Sequence, residues 1–279
     1  NAGSVLEDDD QRGLAHFVEH MAFNGTRKFA RMEIVNYLER IGMRFGPDIN
    51  AYTSFDQTIY QLTLPSDTDE IMSQGLDILH EWASAVAFDA QELEKERGVV
   101  LEEWRLGRGA WARIQDQQFG VLFQGSRYAT RLPIGLPSII KGAPREAILR
   151  FYRTWYRPNL MAVVAVGDFD VAKVQAAIRT RFADLENPPG APERPVIAVS
   201  PHDETLVSIE TDPEMPTASV TIYNKFPQRG ESTHGDYRRF VGDQLYHQML
   251  NARLSDLSQT PNAPFLFASS STSSVSRTP

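Results

Sequence analysis

The stretch Gly13-Leu14-Ala15-His16-Phe17-Val18-Glu19-His20-Met21-Ala22-Phe23-Asn24-Gly25-Thr26 sets two histidines and a glutamate in an otherwise apolar run. The pattern predicts a helix over Gly13 to Phe23. At roughly 100° per residue, His16, Glu19 and His20 share one arc of about 100°. Leu14, Phe17, Val18 and Met21 take the opposite arc, so the helix has a core face and a polar face. Two imidazoles four residues apart project from one side, one turn above the other, which suits capture of a single metal ion. Glu19 then lies beside the metal, where it can take a proton from a water that the metal has acidified. The order His-x-x-Glu-His is the inverzincin pattern. The plainer alternative is a solvated helix face that holds these three residues by accident.

A catalytic zinc needs a third protein ligand and one open position. Candidates lie in Glu92-Leu93-Glu94-Lys95-Glu96-Arg97-Gly98-Val99-Val100-Leu101-Glu102-Glu103-Trp104, within a helical run predicted from Ala90 to Arg108. Glu96 and Glu103 are seven apart and share a helical face, whereas Glu102 is rotated off it. Spacing alone does not choose between Glu96 and Glu103.

Outward from these two segments, the pattern predicts a mixed α+β chain. Helices are expected over Met32 to Ile41, with Gly42 as a stop, after Ser66 (Met72, Leu76, Leu79, Ala83 and Val86 as its buried stripe), and over Val171 to Phe182. Asn50 to Leu64 reads as extended, and Leu160 to Val166 as an apolar strand. Asn187-Pro188-Pro189-Gly190-Ala191-Pro192-Glu193-Arg194-Pro195 has no periodicity and reads as a linker. Beyond it, Val196 to Val199, Thr205 to Glu210 and Ala218 to Tyr223 read as strands, followed by a helix carrying Leu245, Met249, Leu250 and Leu254. The expected organisation is a first domain over 1–186, a linker over 187–195, and a second, truncated domain over 196–279. His80, His202, His234 and His247 lack a helical partner histidine and are read as structural. The aromatic cluster Phe151, Tyr152, Trp155 and Tyr156 is read as core.

Composition narrows the function classes. The chain has 279 residues, 42% of them hydrophobic and 23% charged, which is enough apolar material for one or two cores. Its 28 basic and 36 acidic residues give a net charge of −8, which argues against a nucleic-acid partner. No apolar run is long enough for a membrane span. Cysteine is absent, so a thiolate metal site and a cysteine nucleophile are excluded. Neither terminus carries a start or stop pattern, and no targeting signal is visible, so a piece of a longer polypeptide is expected.

The segment Gly13 to Thr26 resembles the signature of the M16 (pitrilysin- or insulinase-type) zinc metallopeptidases. Glu96-Arg97-Gly98-Val99-Val100-Leu101-Glu102-Glu103 resembles that family's second element. The likeness, which leans towards bacterial PqqL-like zinc proteases, continues through Trp155-Tyr156-Arg157-Pro158-Asn159-Leu160-Met161 and Met249-Leu250-Asn251-Ala252-Arg253-Leu254. It implies Zn²⁺ held by His16, His20 and Glu103, with Glu96 in support and Glu19 as the base. The interval from His20 to Glu103 is longer than usual in the family, which a small insertion accommodates. Asn50-Ala51-Tyr52-Thr53-Ser54 matches the family's edge strand beside the zinc, which makes Asn50 and Ala51 candidates for contact with an extended peptide.

What the resemblance implies is an α+β fold of helices on a mostly antiparallel sheet, with one full domain and part of a second. The function implied is zinc-dependent endopeptidase cleavage of peptides or small unfolded proteins, in a bacterial periplasm. Substrate-orienting residues come, in the family, from a second half of the polypeptide that these residues do not include. The rival is a family member that keeps the fold as a non-catalytic peptide-binding or structural subunit. A purely structural metal is the further alternative, although such a site normally has four protein ligands.

Overall fold

The first predicted helix forms as α1 (Leu14–Phe23) and is enclosed on almost every side. Leu14, Ala15, Phe17, Val18, Met21 and Ala22 are all buried, and so is Glu19. The computed structural model describes residues 1–274, so the tail 275–279 of the expected second domain lies outside the described residues. Around α1 stand α2 (Glu33–Arg40), the hairpin β1 (Ile49–Thr53) and β2 (Thr58–Leu62), α3 (Asp69–Ser84) and α4 (Ala90–Leu106). Then follow α5 (Ala110–Leu122), α6 (Pro137–Gly142), α7 (Arg145–Trp155) and α8 (Val171–Arg181). These belong to one compact unit, Asn1–Val220, and a second unit, Thr221–Pro279, carries α9 (His234–Ser258).

A helix start needs partners for its first N–H groups. Gly13, the cap residue of α1, has φ of +100° and no side chain to offer. Glu7 supplies the acceptor from outside: its Oε1 accepts from Gly13 N at 3.0 Å and from Ala15 N at 2.8 Å. Burial pushes the Glu7 carboxyl up to about 8, against the opposing pull of those N–H groups and of Arg131 and Arg127. With its start fixed, α1 packs against α7, α4, α6 and β1. Trp82 of α3 is fully buried and lies within ring contact of Phe23 and Tyr60.

The extended stretch Asn50 to Leu64 is not one strand but an antiparallel hairpin, in which Ile49 faces Leu62 and Thr53 faces Thr58. Ser54 N donates to Gln57 O across the turn at 2.8 Å. The buried face of α3 also differs from the expected stripe. Leu76, Ile78 and Trp82 lie within it, together with Asp77, His80 and Glu81, whereas Met72, Leu79 and Ala83 are only half-buried. Asp77 and Glu81 can be buried because they find partners: Lys28 and Arg181 reach Asp77, while Arg27 pairs with Glu81 at 3.7 Å and the Lys28 backbone N–H donates to Glu81 at 2.8 Å.

The strands expected at Leu160 to Val166, Val196 to Val199, Thr205 to Glu210 and Ala218 to Tyr223 form no ladder among the described residues. The sheet is therefore small, two strands under a helical layer. A strand is a property of a pair, and apolar alternation does not supply a neighbour. Val166 and Ile209, 91% and 84% exposed, have none of the packing that their residue type favours. The proline-rich stretch falls within the first unit and is tied to it: Arg157 donates to Pro192 O, and Arg194 pairs with Asp56 at 3.2 Å. In the second unit, α9 starts with a reciprocal cap between Thr233 and Asp236.

Gly135 closes against the start of α1. A Cβ there would sit 2.2 Å from Gly13 Cα and 2.6 Å from Gly13 N, at a φ of +73°. Gly135→Ala should cost about 3 kcal/mol or more in urea unfolding, from steric and left-handed strain together. Gly142→Ala, at a helix end with nothing within 4 Å of the new methyl, should stay within about 1 kcal/mol of the parent. Equal losses at the two positions would refute the close approach.

Candidate metal centre

Three elements build the site: the His-x-x-Glu-His face of α1, one flank of α4, and β1. On α4, Leu93, Arg97 and Val100 form the buried stripe at i, i+4 and i+7. Arg97 fixes the rotation of the helix by donating to Ile140 O and Ala143 O at 2.6 Å each. Glu96 and Glu103 lie beside that stripe and are thereby turned towards α1. Glu102 points away and pairs with Arg105 in solvent.

The side chains converge by their nitrogens. His20 Nε2 lies 3.2 Å from His16 Nε2 and 3.2 Å from Glu103 Oε2, and His16 Nε2 lies 3.7 Å from Glu103 Oε1. Ligand atoms of His16, His20 and Glu103 all fall within 4.8 Å of one another, the one such group among the described residues. Glu96 stands behind: its Oε1 meets His20 Nδ1 at 2.8 Å, and its Oε2 accepts from Asn24 Nδ2 at 2.7 Å. A carboxylate on Nδ1 keeps the proton there and leaves Nε2 as the coordinating atom. Two imidazole Nε2 atoms in contact need a proton or a cation between them, so this donor set fits a metal ion.

The electrostatics follow from these contacts. Burial holds the His16 imidazolium down to about 4, with His20 adding to the effect and Glu103 opposing it. For His20, burial also acts against the charge, but hydrogen bonds and charge from Glu103 and Glu96 prevail and raise it to about 9. The hydrogen bond from His20 lowers the Glu103 carboxyl. Burial raises the Glu19 carboxyl, with Thr53 pulling the other way. The polar face of α1 is thus covered rather than solvated: Glu19 is only 7% exposed.

β1 passes over this face. Its burial alternates, so Ile49, Ala51 and Thr53 turn towards the protein while Asn50 and Tyr52 are exposed. Asn50 Oδ1 accepts from the Ala51 N–H at 2.9 Å. Among the described residues, β1 forms a ladder with β2 alone. Three side chains at the site escaped the sequence reading, namely Thr53, which donates to Glu19 Oε2 at 2.5 Å, Asn24 behind Glu96, and Tyr156. Tyr156 hydrogen-bonds Tyr60 at 2.9 Å, and both phenols are raised mainly by burial, with the Glu19 charge adding to it. Asn24 and Thr53 were within reach of periodicity, four residues after His20 and two after Ala51. Nothing local announces Tyr156. His80 packs against Phe182 and pairs with Asp184 at 2.9 Å, outside the group of His16, His20 and Glu103.

Residues 1–117 match the family Insulinase (Peptidase family M16), and residues 143–260 match Peptidase M16 inactive domain. His16, Glu19, His20, Glu96 and Glu103 all fall in the first match. The chain is 43% identical over 268 residues to the Zinc protease PQQL-like of Arabidopsis thaliana, covering 96% of this chain and 28% of that protein. It is 30% identical to the chloroplastic Stromal processing peptidase of the same plant, over 69% of this chain and 15% of that one. The first half of the periplasmic protease PqqL from Escherichia coli superposes with a TM-score of 0.79 at 31% identity, over 92% of this chain and 55% of that one. The chain thus spans less than a third of the length of these two curated relatives. Two M16 matches in tandem, with this fold and these relatives, make the chain a member of peptidase family M16, on the PqqL-like side.

Proposed function

We propose that this chain is the catalytic part of a zinc-dependent endopeptidase acting on peptides or small unfolded proteins. The carrying observation is the convergence of His16 Nε2, His20 Nε2 and the Glu103 carboxylate beside a buried Glu19. Two imidazoles and one carboxylate are a donor set used by hydrolytic zinc sites that keep one open position. When bound, zinc supplies Lewis acidity, making a water more acidic and polarising the scissile carbonyl. Glu19 takes the water's proton and passes it to the departing amine. Glu96 holds His20 in the tautomer that presents Nε2. The free side of β1, at Asn50 and Ala51, receives the peptide backbone as an added strand.

In this reading residues 1–186 are the catalytic domain, 187–195 the connection and 196–279 part of a second domain. The remaining length typical of the relatives supplies the enclosure that orients the scissile bond and excludes water. A periplasmic address follows only from the likeness to the E. coli protease. No helix among the described residues is long and apolar enough to cross a membrane.

Glu19→Gln in the full-length polypeptide should bind zinc like the parent yet lose peptide cleavage by about 10²-fold or more. Equal turnover would leave the chain a family member without this mechanism. Glu103→Gln should lose zinc outright, whereas Glu96→Gln should weaken it by about 10- to 100-fold, and the reverse order in a metal titration would exchange their roles.

Zinc uptake should also move a proton. At pH 7 His20, at about 9, carries one, and His16, at about 4, does not. Coordination through His20 Nε2 must displace that proton, so about one should be released per zinc, with affinity rising as pH climbs towards 9. Calorimetry in buffers of different ionisation enthalpy reads this count, and zero released at pH 7 would contradict it.

A further inference from the structure

We infer that Thr53 is a positioning residue for Glu19, setting which carboxylate oxygen faces the reacting water. The inference rests on the reading of Glu19 as the general base. A carboxylate's terminal torsion is broad and two-fold, so the backbone of α1 does not orient it. Water can do little of the orienting, because Glu19 is buried. Thr53 Oγ1 donates to Glu19 Oε2 at 2.5 Å, and no hydrogen bond from the described residues reaches Oε1. That leaves Oε1 to accept from the water.

The direction of the Thr53 hydroxyl is itself fixed. Its partner across the hairpin is Thr58, with the two Oγ1 atoms 3.3 Å apart. Thr58 Oγ1 donates to Ala2 O at 3.0 Å, so its single proton is already committed. Thr58 can therefore only accept from Thr53, at a long distance, and the short bond of Thr53 goes to Glu19. The chain Ala2, Thr58, Thr53, Glu19 anchors the base to the main chain of the N-terminal segment. Among the described residues no hydrogen bond joins Thr53 to His16, His20 or Glu103, so its effect on the metal should be small.

The test compares Thr53→Val, which keeps the shape and removes the hydroxyl, with Thr53→Ser, which restores it. Both are made in the full-length polypeptide beside Glu19→Gln, at equal zinc occupancy. Thr53→Val should lower kcat by about 10- to 100-fold with KM within about twofold, because a misplaced base slows chemistry more than binding. Thr53→Ser should return to within about threefold of the parent, and zinc affinity should hold in both. A crystal structure of Thr53→Val should show the Glu19 carboxylate turned or split between orientations. An unmoved carboxylate, a fully active Thr53→Val, or a Thr53→Ser as slow as Thr53→Val would overturn the proposal. A fully active Glu19→Gln would instead bring down the base assignment and this proposal together, so the two failures are distinguishable.

Discussion

The pose of α1 is set by a carboxylate that lies outside it. Gly13 begins the helix in a left-handed conformation and cannot cap it, so the first N–H groups are satisfied by Glu7, six residues upstream. Glu7 is fully buried, and its main-chain oxygen in turn accepts from Arg131 Nε at 2.9 Å and from Arg127. The helix start is thereby tied to the segment after α5. Glycine at position 13 also allows Gly135 to approach at backbone distance, which a side chain on either would forbid. Because His16, Glu19 and His20 occupy the two turns that follow, a rotation of the helix start would carry all three away from Glu103.

The site is built around an electrostatic conflict. Two imidazoles are brought into contact inside the protein, where neither is well solvated, and two carboxylates are placed on opposite nitrogens of one of them. The result is one histidine that resists protonation and one that retains its proton. A pair poised in this way repels a second proton and attracts a divalent cation, since Glu96 and Glu103 supply charge that a single imidazolium does not cancel. Glu19 completes the asymmetry. It is more deeply buried than Glu103, so its carboxyl is raised where that of Glu103 is lowered. Two carboxylates pushed apart by their surroundings suit the roles of base and ligand proposed for them.

Much of this was legible in the sequence, for identifiable reasons. The helix Leu14–Phe23 and its triad follow from a 3.6-residue period, and Gly42, at a φ of +93°, ends its helix as its position suggested. The share of Glu96 and Glu103 was not legible from spacing, because both lie on one helical face. Resemblance separated them; in the structure Glu96 meets Nδ1 of His20 and Glu103 meets its Nε2. That the polar face would be covered was not legible, because amphipathicity says which side of a helix avoids water, not whether a strand lies across the other. Helices α5 to α7 went unannounced, although α7 holds a buried apolar stripe at Ala147, Ile148, Phe151 and Tyr152. The extended segments from Leu160 onwards were overread, since apolar sequence was taken for pairing.

The hairpin joins two demands that could have been met separately. Side chains alternate along β1, so the residues that look outward, Asn50 and Tyr52, and those that look inward, Ala51 and Thr53, are fixed relative to one another. In the proposed mechanism the outward set and the free backbone meet the peptide, while Thr53 on the inward set holds the base. A slip of one residue in the pairing with β2 would turn Thr53 away from Glu19 and bring Tyr52 against it. In that mechanism the register Thr53 opposite Thr58 would carry both substrate alignment and base orientation. It is secured at its end by the bond from Thr58 to Ala2 O and by the Ser4 and Val5 N–H groups, which donate to Ser54 O and Phe55 O. The residues just upstream of Glu7 thus brace β1, while Glu7 itself caps α1. A single short segment aligns the strand and the helix whose side chains meet where Thr53 donates to Glu19.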